Sequence, residues 1–555
     1  MLIKWFQLNS NEYSRLCRRP KPTNFALLEP SLLSVVDQRA SEHPSTSTQY
    51  RSPSTMSLSM PVGEFFANSE IFVTGGSGVV GKALIEKLLR SCNVRRIYVL
   101  MRTRHHLGAE ERLLKMRQAH IFNVLKKERP WELDKLVAIS GDVSLPGLGL
   151  DQAAKELMSQ VSFVYHCAAT VRFDEPLRKA LRLNVGGTLE AIRFAQTLKN
   201  LRMFMHVSTF FSNPYLECVE PKLYSSPMDW RTCLSLVDKI QDDALLDALT
   251  RKIIVGFPNT YTFTKNLAES LINDYREQLP VVVYRPSIVL FAVNDPSPGF
   301  APSLMGAMGL FSLVGAGILK TVYLGKKIHL DITPQDIGIK SMLCYTQSAY
   351  NSYHQSDPPN NLLVFQCSSR THISHTFTEM AEQMDKLSLW QAMPFQKSLL
   401  LPGCHYTDKR WLYQFLVFTK QIVPALLVDM LLRLCGRKPV VLGIVRKAYL
   451  TLEVMKPFMF NNYLSPGMTN AGYLIDYTRG TDFEMGTYEY PVTNELMVVK
   501  CQDMLRSIRH DLLKEDPHTL EQSKRILSIK LYFYQAIRLL LVYKVLKFLW
   551  IYCFT

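Results

Sequence analysis

The chain has 555 residues, 47% of them hydrophobic and 20% charged, with a formal net charge of +16. That is too long for one ordinary core and predicts a globular protein of about two to four domains with an apolar surplus somewhere. The positive balance suits nucleic acid, a membrane surface or an anionic cofactor. No nucleic-acid partner is expected, because no zinc-finger spacing, helix-turn-helix signal or basic block with interleaved aromatics accompanies the charge. The 11 cysteines are scattered singly, which excludes a disulfide framework and points to a reducing compartment; no metal site is expected.

Residues 1–60 are polar and rich in Ser and Thr around 41–59, lack periodicity, and are expected to be a disordered extension. The apolar run Ile71-Phe72-Val73 then feeds Thr74-Gly75-Gly76-Ser77-Gly78-Val79-Val80-Gly81, and a helical pattern follows at Ala83, Leu84, Ile85, Leu88 and Leu89. A strand, a tight turn and a helix start in that order make an anion cradle. Glycines at 75, 78 and 81 let the backbone turn, approach a pyrophosphate and pack helix on strand.

Short apolar runs recur at 71–74, 97–100, 136–139, 163–166, 203–207 and 281–284, with amphipathic stretches between most of them. This rhythm predicts an α/β fold with a Rossmann-type doubly wound parallel sheet. After the second run stand Arg102 and Arg104 rather than a carboxylate, so a 2′-phosphate is favoured over a free ribose hydroxyl, and NADPH over NADH. Asp142-Val143, after the third, would face the adenine, with Asp142 as acceptor for its amino group. Ala168-Ala169, after the fourth, would let the chain pass close to the adenosine end. Asn184 opens a helical pattern and is expected to be its cap, with a hydrogen-bonding hinge as the alternative, and it is counted with Tyr261 and Lys265 among the residues expected to line the cofactor. Ser208 or Thr209, leaving the fifth strand, can hydrogen-bond a carbonyl oxygen that becomes negative. Tyr261 and Lys265, at i and i+4, share a helix face. The ammonium is expected to lower the phenol's pKa and make it a proton donor near neutral pH.

With these residues in view the chain resembles the extended short-chain dehydrogenase/reductase superfamily and, more closely, the fatty acyl-CoA reductases. The likeness is carried by Phe72 to Leu89, by His166 through Val171-Arg172-Phe173-Asp174-Glu175, by His206-Val207-Ser208-Thr209, by Tyr284-Arg285-Pro286-Ser287-Ile288-Val289, and by Leu330-Asp331-Ile332-Thr333-Pro334. It continues sparsely to Asp516. The resemblance implies that the glycine turn and Pro286 bind NADPH and that Tyr261, Lys265 and Ser208 or Thr209 form the active site. It further implies NADPH-dependent reduction of long-chain or very-long-chain fatty acyl-CoA to a primary alcohol, through an aldehyde and with release of CoA, at an endoplasmic-reticulum or peroxisomal membrane with the catalytic domain facing the cytosol. The residues alone also admit another carbonyl or alcohol oxidoreductase of this fold, such as a sterol dehydrogenase, or a catalytically silent membrane-bound lipid or nucleotide-binding protein. Phe210-Phe211 departs from the small residue and Tyr of the family pattern.

The remaining segments concern lipid. Residues 298–324 are apolar and rich in Gly, and are expected to form a loop and buried helix lining an acyl tunnel rather than a span. Residues 415–434 read as amphipathic helices that cover a lipid substrate or touch a membrane. Residues 531–554 are the clearest membrane candidate, preceded by Lys524, Arg525 and Lys530 but carrying Arg538, Lys544 and Lys547 within. The domain reading is therefore an extension (1–60), an NADPH-binding reductase domain (61–345), a smaller, mostly helical C-terminal domain (346–520) and a membrane-associated segment (525–555). Fatty acyl-CoA and membrane lipid are the expected partners, and a homo-oligomer stays open.

Overall fold

In the computed structural model each of the six apolar runs is a strand of one parallel sheet. The structure describes residues 60–329, 331–354, 359–368, 376–386, 388–464, 471–485 and 494–554. The polar extension over residues 1–59 lies outside them. Strands β1 (Glu70–Thr74), β2 (Arg96–Met101), β3 (Leu136–Ser140), β4 (Phe163–His166), β5 (Met203–Val207) and β6 (Val281–Pro286) are joined by β7 (Leu363–Cys367). Their order is β7-β6-β5-β4-β1-β2-β3, every pairing parallel. β1 is buried along its whole length, as continuous apolar runs covered on both faces must be.

Helices cover both faces. α1 (Val79–Ser91) buries Ala83, Leu84, Ile85, Leu88 and Leu89, which is the stripe its sequence spacing predicts. α2 (Ala109–Arg117) follows β2, α3 (Gly187–Ala195) follows β4, and α4 (Thr260–Asp274) carries Tyr261 and Lys265. Asn259 caps α4 by accepting from the Thr262 N–H at 2.9 Å. Within 298–324 the helical part is α5 (Gly306–Gly315), partly buried and too short to cross a bilayer. α6 (Gln335–Tyr353) is buried along residues 335–349 and packs on α1.

The C-terminal part is mostly helical. Thr321–Tyr323 pairs with His405–Thr407, and α7 (Arg410–Val417), a π turn (Phe418–Ile422), α8 (Val423–Leu434) and α9 (Val441–Met459) follow. A hydrophobic cluster joins Ala301, Met308 and Val314 to Trp390, Phe395, Leu452 and Leu505. α10 (Leu520–Phe554) ends the chain, with Leu539, Leu540, Leu541, Val545 and Trp550 exposed. Among the described residues two helical stretches, Arg410–Leu434 and Pro517–Ile551, are long and apolar enough to cross a membrane.

Candidate active site

β1 ends at the glycine turn, and the turn's backbone explains two of its glycines directly. Gly75 has φ +70°, and a Cβ there would stand 2.6 Å from the Ala168 nitrogen and 2.7 Å from the Cys167 carbonyl carbon. A Cβ on Gly81 would meet the Gly75 oxygen at 2.4 Å. Gly78 precedes α1 as its N-cap and is less crowded, at 3.1 Å. The free N–H groups at the α1 start therefore face a cradle that side chains would fill, a shape that fits a dinucleotide pyrophosphate.

Beneath the turn runs a buried row that the sequence did not single out for function. His166 lies between the Thr74 hydroxyl, 2.9 Å from its Nδ1, and the Thr188 hydroxyl, 3.1 Å from its Nε2. Burial and the nearby Lys265 charge push this imidazole down to about 3, so it is neutral at physiological pH. Thr74 thus ties the turn to β4 and α3, and its hydroxyl also accepts from the Ala168 N–H at 3.3 Å.

The arginine pair after β2 becomes a cluster of three. Arg112 on α2 donates to the Arg102 carbonyl and approaches the Ser77 hydroxyl at 3.4 Å, and its pKa is lowered by burial and by the Arg102 and Arg104 charges. Arg102 is half exposed, with Asp142 3.8 Å away. Asp142 also accepts from the Ser144 N–H at 2.9 Å and hydroxyl at 2.8 Å, so it closes its own turn as well as facing the arginines. Three guanidiniums close enough to repel one another, with a carboxylate beside Arg102 alone, leave positive charge near Ser77, which a phosphate would neutralise. Only the folded chain brings Arg112 there; in sequence it is one cation on a helix.

Asn184 corrects its expected role as a cap. It lies inside a helix, in the π turn Arg182–Gly186, where its side chain accepts from the Thr170 N–H at 2.8 Å and donates to the Thr264 hydroxyl at 2.9 Å. It braces the loop after β4 against α4, the hinge alternative of the sequence reading. Val143 packs against Gly187, whose absent Cβ leaves room for it. Ala168 and Ala169 are partly buried beside the turn, and Pro286 is buried at the end of β6.

Ser208 and Thr209 face different partners, as successive residues leaving a strand do. Ser208 donates to Glu269 at 2.5 Å, and Glu269 is held by Arg285 at 2.6 and 2.9 Å in a buried ion pair. Thr209 hydrogen-bonds the Tyr261 phenol. Of the two, Thr209 is the hydroxyl presented to the tyrosine. Lys265 points its ammonium at the Val207 carbonyl, 2.7 Å away, and burial pushes it down to about 8. The expected lowering of the Tyr261 pKa is also corrected. Burial among aromatic rings pushes the phenol up to about 12, outweighing the Thr209 bond. Phe173 stacks on Tyr261 at 5.7 Å, Phe458 of α9 lies 5.4 Å from Phe173, and Phe211 lies 5.3 Å from Phe458. Phe458 comes from nearly two hundred residues downstream (261 to 458), beyond any local pattern. The arrangement offers a protonated phenol and a second hydroxyl under an apolar wall, with Lys265 one helical turn along α4.

Comparisons with known proteins bear on the family and the fold. A family model described as "Male sterility protein", an NAD-binding family, matches residues 73–342. "Fatty acyl-CoA reductase wat" of Drosophila melanogaster is 31% identical over 481 residues, 86% of this chain and 90% of its own. The human "Fatty acyl-CoA reductase 1" is 32% identical over 405 residues, 72% of this chain and 77% of its own. Among solved structures, the terminal R domain of the myxalamid biosynthetic pathway superposes with a TM-score of 0.51 at 18% identity, covering 80% of this chain and 91% of that one. The reductase domain of a non-ribosomal peptide synthetase from Mycobacterium tuberculosis gives 0.51 at 17%, covering 83% and 95%. At those identities the two structures speak for the fold alone.

Proposed function

The chain belongs to the fatty acyl-CoA reductase family, and from that premise we propose that it reduces long-chain or very-long-chain fatty acyl-CoA to the primary alcohol with two NADPH. It is an oxidoreductase with a nicotinamide-dinucleotide fold. The observation that carries the finer reading is the pairing of Tyr261 with Thr209 under the Phe173–Phe458 wall, one helical turn from Lys265. NADPH, when bound, supplies the hydride. The glycine turn would hold its pyrophosphate, and Arg102, Arg104 and Arg112 a 2′-phosphate.

The residues of the chain do the rest. Tyr261 and Thr209 donate hydrogen bonds to the thioester oxygen as it gains negative charge, and Tyr261, protonated across neutral pH, gives up its proton to it. The resulting hemithioacetal loses its C–S bond, and the sulfur leaves as CoA thiol with the hydroxyl proton, giving the aldehyde. A second hydride and a second proton from Tyr261 make the alcohol. Lys265 would leave the Val207 carbonyl to stabilise the phenolate between protonations. Phe173, Phe211 and Phe458 would wall the acyl chain, with residues 61–345 acting as the reductase domain and 346–520 as its helical cover. α10, preceded by Lys524, Arg525 and Lys530, would hold the enzyme on an endoplasmic-reticulum or peroxisomal membrane with this site in the cytosol.

The test is product analysis with acyl-CoA of graded chain length and either NADPH or NADH. Fatty alcohol formation with NADPH is expected, falling by about 10²–10⁴-fold in Tyr261→Phe. Dinucleotide binding without turnover of any acyl-CoA, or turnover that depends on a steroid instead, would sink the assignment.

A further inference from the structure

α8 carries its apolar stripe on the wrong side for a soluble protein. Val423, Leu426, Leu427, Met430, Leu431 and Leu434 recur at the spacing of one helix face, and all six are exposed, Leu434 by 77%. The opposite side is polar where it meets the protein. The Gln421 carbonyl oxygen accepts from the Lys320 and Thr321 N–H groups at 2.6 and 3.0 Å. The Asp429 carboxylate accepts from Val440, Val441 and Leu442, each at 2.9 Å, and so caps α9. These bonds fix the helix about its axis. The stripe therefore faces outward by construction, and α8 cannot turn lipid-facing all round as a span must.

The surroundings are basic. Within residues 409–447 Asp429 is the only acidic residue, and it is buried. Lys420, Arg433, Arg437, Lys438, Arg446 and Lys447 are all exposed, and none forms a salt bridge among the described residues. An apolar face rimmed only by cations suits a surface with hydrocarbon below and anionic headgroups above. A second copy is disfavoured as occupant, because a twofold pairing would set these cations against themselves.

We propose that α8 and the turn into α9 lie in the headgroup layer of an anionic phospholipid bilayer, as an interfacial contact separate from α10. The contact has a consequence for the site. α9, 19 residues or about 28 Å long at 1.5 Å per residue, carries Arg446 and Lys447 in its first turns and, near its other end, Phe458, which reaches Tyr261 through Phe173. On the acyl-CoA reading, docking brings the aromatic wall to the source of its lipid. The docking itself stands on the stripe and its cations whatever the substrate.

The full chain is mixed with phosphatidylcholine vesicles, with or without phosphatidylserine, containing a phospholipid whose acyl chain bears a photoactivated carbene precursor, and labelled peptides are mapped. Label is expected on 423–434 as well as on α10, and on 423–434 only when phosphatidylserine is present. Leu427→Asp with Leu431→Asp should lose the 423–434 label and keep that of α10. Arg437→Glu with Lys438→Glu should weaken it by about fivefold per cation removed. An unlabelled 423–434 beside a labelled α10, equal labelling without phosphatidylserine, or chain-to-chain crosslinks through 423–434 would each overturn the proposal. Label on 423–434 with none on α10 would leave it standing and remove the anchoring role assigned to α10.

Discussion

α1 and α8 carry the same apolar spacing and turn it in opposite directions. In α1 Leu84, Ile85, Leu88 and Leu89 are fully buried. In α8 the equivalent stripe faces solvent, while a glutamine and an aspartate hold the inner side. A helix wheel alone gives both the same reading. What separates them is what the neighbouring elements ask for. The sheet offers α1 an apolar face to cover, whereas the backbone N–H groups of Lys320, Thr321 and the α9 start need acceptors, and Gln421 and Asp429 supply them. Burial of apolar side chains stabilises the first region; satisfaction of polar groups orients the second.

Three measurements break or sharpen that contrast. The largest effect is expected from Leu88→Ala, which opens a cavity in a closed core and should cost about 2–5 kcal/mol by urea unfolding. Leu431→Ala should change stability by less than about 0.5 kcal/mol, and a cost equal to that of Leu88→Ala would mean that the two faces are buried alike. Next comes Arg112→Ala, on the sheet side of the comparison. It should raise KM for NADPH about tenfold, the equivalent of about 1.4 kcal/mol, with little change for NADH. Equal losses for both cofactors would remove Arg112 from phosphate recognition. The smallest effect is a pH limb. Lys265 is held down to about 8, so its ammonium is present below that pH and lost above it. kcat/KM should therefore fall as pH rises through about 8, and Lys265→Arg should move the limb upward. A flat profile from pH 7 to 9 would show that the charge on Lys265 does not act in the rate.

Much of the sheet and the glycine turn was legible in the sequence. The runs of β1, β4, β5 and β6 are apolar for the physical reason that both their faces are covered, and the glycines at 75 and 81 occur where neighbouring backbone leaves no room for a Cβ. The Tyr261–Lys265 pair was legible because four residues make one helical turn. The direction of the Tyr261 pKa was not, since it depends on burial by side chains such as Phe173 that lie far from Tyr261 in the chain. Asn184 read as a cap because nothing local announces a π turn in the middle of a helix.

The sequence by itself determined the elements whose causes lie within a few residues: strands, the cradle, and the helix face that holds tyrosine and lysine together. Tertiary structure alone decided which hydroxyl meets the tyrosine. It also brought Arg112 to the Ser77 side of the turn, carried Phe458 across the chain to Phe173, and turned the α8 stripe outward. Each of these depends on a partner tens to hundreds of residues away, and only packing and hydrogen-bond satisfaction in the folded chain select that partner.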